Sequence, residues 1–160
     1  MNLDALSEGE VARRLAGPGL GVRSGPFGFR IRSPIRSIAT GMALLYGDYP
    51  LLGEDEFADY PLDLLPGTGL HRWWRPQVRV LFNAHRPFEP LPADHAYPQM
   101  EWAMNWCIAG HAHEYLMLHA AVLERNGCAL VLPAPPGSGK STLCAGLLLR
   151  GRAVSCMRRT

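Results

Sequence analysis

The segment that indicates the chemistry of this chain is Ala134-Pro135-Pro136-Gly137-Ser138-Gly139-Lys140-Ser141. It matches the phosphate-binding loop pattern, in which a small residue and four variable positions precede Gly-Lys-Ser. An apolar run at 128–132 comes directly before it, and a second apolar run at 142–149 follows it. A strand, a glycine-rich loop and a helix in this order are the context in which the pattern binds phosphate.

The loop combines groups that suit a triphosphate. Gly137 and Gly139 let the backbone curve tightly and approach phosphate oxygens closely. Lys140 supplies a positive charge for the β- and γ-phosphates, and the hydroxyl of Ser141 can ligate Mg²⁺. The sequence therefore predicts that a nucleoside triphosphate and Mg²⁺ bind at the loop and the first helical turn, which consist of Ala134, Pro135, Pro136, Gly137, Ser138, Gly139, Lys140, Ser141 and Thr142.

Composition indicates a soluble globular protein. The chain has 160 residues, of which 48% are hydrophobic and 19% charged, and these values are typical of folded domains. The net charge of +2 and the scattered basic residues do not favour nucleic acid or an anionic membrane surface as a partner. The N-terminus has no apolar signal core, and no apolar run approaches the ~20 residues that cross a bilayer. We expect a cytoplasmic protein with no membrane span.

Residues 1–97 predict a small α+β module. Ser7 can cap a first helix, and Gly25-Pro26 can form the turn of a hairpin at 22–31. Ser33-Pro34 is typical of a helix start, and the helix would run to about residue 47. Residues 48–76 read as loop with at most one short strand, and 77–82 as a strand.

Residues 98–160 predict the start of a second domain. A helix is expected at 98–113, followed by apolar strands at 116–123 and 128–132 that Asn126-Gly127 joins as a hairpin. A helix at 140–150 would end at Gly151. The next strand would begin at Ala153-Val154, in a parallel sheet.

Three further groups of residues admit two interpretations. His111 and His113 could bind a metal, or they could be helix-end histidines that favour the helix dipole. The tryptophans at 73 and 74 stand beside arginines, as in some single-strand binders, but packing within the module is the preferred interpretation. The tryptophans at 102 and 106 could form a ligand-binding stripe, but they are expected in the core.

The run from 118 to 151 resembles the nucleotide-binding core of the HPr serine kinase/phosphorylase family. It is especially similar to the HPr-kinase-related "kinase A" proteins associated with exosortase gene clusters. His119, the Asn126-Gly127 turn and residues 137–141 stand at the matching positions. The segments at 30–34, 73–77 and 101–107 also resemble that group, so the likeness extends to about Ser155.

The resemblance implies an incomplete α/β phosphate-loop kinase domain at 98–160, preceded by the α+β module at 1–97. It implies an ATP- and Mg²⁺-dependent kinase that phosphorylates a hydroxyl of a protein or small molecule. Lys140 would be catalytic, and His119 would assist near the γ-phosphate, although His119 could equally be a strand-end histidine bonded to the backbone. Homo-oligomers are a further expectation.

The resemblance fails at one pair of residues. In the family, the strand after the loop's helix ends in an acidic pair that supplies the catalytic carboxylate, whereas this chain has Cys156-Met157. We therefore expect a chain truncated at its C-terminal end. The alternative to a kinase is a non-catalytic nucleotide-binding remnant that lacks the carboxylate.

Overall fold

The computed structural model describes residues 1–151 and 155–157. The chain divides into two compact units, Met1–His111 and Ala112–Thr160. A five-stranded sheet with helices forms the first unit, and a three-stranded sheet with one helix belongs to the second. The protein is therefore mixed α/β, as the sequence predicted. The sequence predicted a domain boundary after residue 97, whereas the structure divides the chain after His111.

The first unit is built on one mixed sheet. Its strands lie side by side in chain order, and neighbouring strands are antiparallel except for the second and third, which are parallel. The five strands are β1 (Leu20–Ser24), β2 (Phe27–Arg32), β3 (Tyr60–Pro66), β4 (Gln77–Phe82) and β5 (Leu91–Pro92).

The first unit has three helices, and two of them pack against this sheet. The first contacts β1 and β2, the third contacts β3, β4 and β5, and the second contacts the other two helices. They are α1 (Glu8–Ala16), α2 (Arg36–Leu45) and α3 (Ala96–His111). Three 3₁₀ turns, at Leu3–Ala5, Gly69–Arg72 and Ala93–His95, complete the unit.

Helix α3 belongs to the first unit because one of its faces is buried in that unit's core. Its residues Ala96, Met100, Ala103 and Cys107 are completely buried, and they recur at the three- and four-residue spacing that places side chains on one side of a helix. The sequence assigned this helix to the second domain, because a helix before two apolar strands gives no sign of which sheet it covers.

Several local predictions are confirmed. The Ser7 hydroxyl accepts a hydrogen bond from the Glu10 N–H at 3.2 Å and caps α1. Strands β1 and β2 form the expected hairpin. The predicted cap at Ser33 is wrong, because α2 begins at Arg36. The Ser33 hydroxyl instead donates to the Leu64 carbonyl at 2.8 Å and accepts from the Ile35 N–H at 3.1 Å.

The tryptophans follow the core prediction only in part. Trp106 packs against Phe82 and Phe88, with ring centroids 5.9 and 5.3 Å apart. Trp102 is 55% exposed. The packing expected for Trp73 and Trp74 is wrong, because their side chains are 85% and 72% exposed.

The second unit has a different sheet from the one predicted. Its strands are β6 (Ala120–Arg125), β7 (Cys128–Pro133) and β8 (Ser155–Met157), and its helix is α4 (Lys140–Leu149). Strand β6 lies in the middle and is antiparallel to both neighbours. The strand after α4 therefore pairs with β6 rather than beside β7 in a parallel ladder. Residues 153 and 154 lie outside the described residues.

The β6–β7 hairpin itself is confirmed. Asn126 and Gly127 both have positive φ, at 53° and 77°, as a two-residue turn of this kind requires. The Glu124 carboxylate accepts a hydrogen bond from the Gly127 N–H at 2.8 Å and closes the turn. Gly151 also has positive φ after α4, and its N–H donates to the Leu148 carbonyl at 3.0 Å.

Candidate phosphate-binding site

The predicted loop is a tight bend between β7 and α4. Strand β7 ends at Pro133 and α4 begins at Lys140. Gly137 and Gly139 have φ of 78° and 82°, in the left-handed region. A Cβ added at either position would meet no atom within 4 Å, so backbone conformation, not crowding, is the reason for glycine at these two positions.

The side chain of Lys140 folds back over the loop that precedes it. Its Nζ donates to the carbonyl oxygens of Ala134 at 2.7 Å and Pro135 at 2.8 Å. The Ser138 N–H donates to the Pro135 carbonyl at 3.3 Å and tightens the same bend. The loop is therefore closed around its own lysine, and the ammonium group lies at the loop instead of pointing into solvent.

Backbone N–H groups that have no acceptor within the helix lie beside the lysine, in the first turn of α4. The first helical bond that the structure records runs from the Leu143 N–H to the Gly139 carbonyl, at 2.9 Å. The N–H groups of Lys140, Ser141 and Thr142 precede it, and such groups at a helix start have no acceptor within the helix. Together with the helix dipole they favour an anion at this end of α4.

Two loop positions play a different part from the one predicted. Pro135 and Pro136 have no backbone N–H, so they cannot donate to phosphate. The carbonyls of Ala134 and Pro135 instead accept the two bonds from Lys140. The sequence pattern identifies the loop but does not show that its first residues hold the lysine in place.

Of the loop's side chains, Ser141 is the one predicted to ligate Mg²⁺. Ser141 is exposed in the first turn of α4, where its hydroxyl could ligate the ion. Mg²⁺ in proteins is usually held through at least one carboxylate, and the sequence after Glu124 contains no Asp or Glu. In the described part of the chain, no group of three or more His, Cys, Asp or Glu side chains could hold a metal ion.

His119 lies at the start of the hairpin that leads into the loop. The β6–β7 register pairs Ala120 with Pro133, so the residue before Ala120 stands opposite the first residue of the loop. Its side chain is exposed. This position is compatible with the role near the γ-phosphate that the family resemblance implied.

The His111 and His113 pair does not form a metal site among the described residues. His111 ends α3, with Nδ1 2.9 Å from the Cys107 carbonyl oxygen. Its ring packs against Tyr60, Phe82 and Trp106 at centroid distances of 5.9, 5.2 and 5.9 Å. The helix-end interpretation fits these contacts.

Comparisons with protein-family models, with curated proteins and with solved structures found no match for this chain. The family resemblance therefore depends on the sequence motifs alone. Among the described residues, no helix is both long and apolar enough to cross a membrane.

Proposed function

We propose that the second unit binds the triphosphate of ATP with Mg²⁺, and that this binding serves transfer of the γ-phosphoryl group to a hydroxyl acceptor. The observation that carries the proposal is the loop that Lys140 closes onto the carbonyls of Ala134 and Pro135, with Gly137 and Gly139 at positive φ. Loops of this shape at a helix N-terminus bind phosphate through backbone donors.

The chain's own groups suit this role. Lys140 now bonds to two neutral carbonyls, whereas a bond between its ammonium group and a phosphate oxygen would join two charges and be stronger. The N–H groups of Lys140, Ser141 and Thr142 would donate to the same anion. Bound Mg²⁺ would neutralise part of the charge on the β- and γ-phosphates. Ser141 would ligate it, and His119 would assist near the γ-phosphate.

A second candidate is nucleotide binding without transfer. It is favoured by Glu124 in β6, because the carboxylate of this residue already accepts a hydrogen bond from the Gly127 N–H in the hairpin turn. Phosphoryl transfer by kinases requires a carboxylate to position the metal or the acceptor. An assay of ATP turnover on protein that binds ATP separates the two candidates, since binding without transfer leaves ATP intact, whereas transfer of the γ-phosphoryl group to an acceptor releases ADP.

Lys140 is the only lysine in the sequence, and this allows a direct test of binding. A lysine-directed acylating reagent should modify Lys140, and Mg·ATP should protect it, because phosphate would engage the same ammonium group. Mass spectrometry of the peptide separates this modification from that of the N-terminal amine. Thermal shift provides a second readout, and a millimolar site would gain about 1 kcal/mol at a few millimolar ATP.

The matched variants are Lys140→Ala and Arg150→Ala, which lie at opposite ends of α4 and its cap. The first should lose the Mg·ATP-dependent thermal shift, and the second should keep it because Arg150 is far from the loop along the helix. Equal thermal shifts in wild type and Lys140→Ala, or acylation that Mg·ATP does not slow, would refute binding through this lysine.

A further inference from the structure

The connection between β3 and β4 exposes three large apolar side chains within five residues. Leu70, Trp73 and Trp74 are 82%, 85% and 72% exposed. The N–H groups of Trp73 and Trp74 both donate to the Leu70 carbonyl, at 3.1 and 2.8 Å, so the three residues belong to one hydrogen-bonded turn. We call residues 69–76 the tryptophan turn.

The tryptophan turn is attached to the sheet at both of its ends. The Gly67 N–H donates to the Gln77 carbonyl at 2.7 Å, and the Ala93 N–H donates to the Pro76 carbonyl at 2.8 Å. The Arg79 guanidinium donates to the Pro66 carbonyl through Nε at 3.2 Å and Nη2 at 3.0 Å. The apolar side chains therefore project from a fixed base in the first unit.

The apolar area of this turn is large for a surface loop. A tryptophan side chain offers ~150–250 Å², so two of them with a leucine approach the size of the largest apolar patch on a typical monomer. Such patches on protein surfaces usually mark an interaction site. Since packing within the first unit does not cover these side chains, a partner outside the unit is indicated.

The charge around the turn indicates what kind of surface would cover it. The tryptophan turn itself contains two arginines and one histidine but no Asp or Glu, although the whole chain has a net charge of only +2. The nearest preceding acid, Asp63, is paired with Arg32 at 2.7 Å. The next acids in the sequence, Glu89 and Asp94, are both exposed. Asp94 lies just after β5, which pairs with the start of β4. The turn is therefore a basic, aromatic region of the molecule.

We propose that the tryptophan turn docks on the surface of an anionic lipid bilayer. Tryptophan rings favour the membrane–water interface, where an apolar ring and a polar N–H are both accommodated. Arginine near the surface is attracted to anionic headgroups. Leu70 favours lipid over single-stranded nucleic acid, because an aliphatic side chain has no ring face on which a base could stack.

The test uses vesicles of phosphatidylcholine with and without phosphatidylglycerol. The full chain should float with the anionic vesicles, and its tryptophan emission should shift to shorter wavelength as the rings leave water. The double variant Trp73→Ala/Trp74→Ala should bind at least about tenfold more weakly, because affinity follows the apolar area inserted. Arg75→Ala should bind about fivefold more weakly, the effect of one cation near an anionic leaflet.

Phe57→Ala is the matched control. Phe57 is 80% exposed, like the tryptophans, but it follows Glu54, Asp55 and Glu56 in the sequence. An anionic surface should repel that segment, so the variant should bind vesicles as wild type does. Circular dichroism of every variant checks that the fold is kept.

Four results would overturn the proposal. They are absence of vesicle binding by the wild type, equal binding to neutral and anionic vesicles, equal binding by wild type and the Trp73/Trp74 double variant, and loss of vesicle binding in Phe57→Ala. Oligo(dT) anisotropy and light scattering separate the other occupants. Binding of oligo(dT) or self-association that depends on the tryptophans, without vesicle binding, would assign the turn to nucleic acid or to a second copy of the chain.

Discussion

Gln99 is a polar side chain placed in an apolar environment. It lies on α3 and is 1% exposed, between the completely buried residues Ala96 and Ala103. Its Nε2 and Oε1 have no hydrogen-bond partner among the residues that the structure describes. An amide buried without partners costs free energy, because it loses its bonds to water without replacing them.

Replacing Gln99 by methionine should therefore stabilise the first unit. Methionine is unbranched, of similar length and adaptable in packing, and it removes the unpaired amide. We expect Gln99→Met to raise the free energy of unfolding by about 1–3 kcal/mol, measured by urea denaturation.

Gln77→Met is the control, because Gln77 is only partly buried at the start of β4 and should change stability little. A loss of stability in Gln99→Met would mean that the amide bonds to a group in the native protein.

For single residues, the sequence predicted contacts between near neighbours in the chain and missed contacts between residues far apart in it. The bend with glycines at 137 and 139 could be predicted, because it is one continuous segment between a strand and a helix. Ser33 could not be assigned correctly, because its hydroxyl bonds to Leu64, 31 residues away. A Ser-Pro pair looks the same in the sequence whether the serine caps a helix or supports a strand.

Helices α2 and α3 meet at a glycine. A Cβ at Gly41 would lie 2.2 Å from Cδ2 of the Tyr97 ring, far inside van der Waals contact. The ring has little freedom to move, since the Tyr97 hydroxyl donates to the Glu101 carboxylate at 2.8 Å. Burial, together with Glu101, raises the pKa of Tyr97 well above its ordinary value. The close approach of the two helices therefore depends on glycine at this position.

Gly41→Ala should destabilise the first unit, and Gly9→Ala should stabilise it. The Gly41 change forces the Tyr97 ring or a helix to shift, at a cost of about 1–3 kcal/mol that exceeds the gain in helix propensity. Gly9 is also helical, but an added Cβ would come no closer than 3.9 Å to another atom. We expect Gly9→Ala to gain up to about 1 kcal/mol.

Urea unfolding of the two variants side by side measures both effects. Similar gains in stability would show that α2 and α3 do not meet closely at Gly41.

Strands were predicted correctly where they pair with a neighbour in the sequence, and less well where their partners are far away in the chain. The hairpins β1–β2 and β6–β7 were predicted because turn residues join strands that are neighbours in the chain. Strand β3 was reduced to a possible short strand, because Pro61 and Asp63 interrupt its apolar pattern. It lies nevertheless in the middle of the sheet, with Tyr60, Leu62 and Leu64 buried.

The two units differ in how much core they bury. The first unit buries side chains from its sheet and all three helices in one cluster. Of the described residues in the second unit, only Leu123 and Cys144 are buried, and Leu116 and Leu149 are 86% and 89% exposed. Because stability follows buried apolar area, the second unit should open at lower free energy than the first.

The cysteines can test this difference, because each unit has a buried thiol. Cys107 in the first unit is completely buried, and burial raises its pKa to about 12. Cys144 is buried in the second unit, and Cys128 is exposed. Alkylation with peptide mapping should modify Cys128 in the native protein. At low urea concentrations, Cys144 should react before Cys107.

The alkylation assay should be run at neutral pH. Since the folded protein holds the Cys107 thiol protonated, formation of the thiolate favours the unfolded chain, and stability from this group falls as pH rises above the ordinary thiol pKa. If Cys107 and Cys144 become reactive together at every urea concentration, the chain unfolds as one cooperative whole and the prediction is wrong.

The parallel pairing of β2 with β3 sets the order in which the first unit can assemble. The Gly28 N–H bonds to the Asp59 carboxylate at 2.6 Å, across 31 residues of chain, and the β2–β3 ladder begins beside it. Closing so large a loop is slow compared with forming a hairpin. On the ribosome, β1 and β2 would pair early. The middle of the sheet would form only after α2 and β3 have been synthesised.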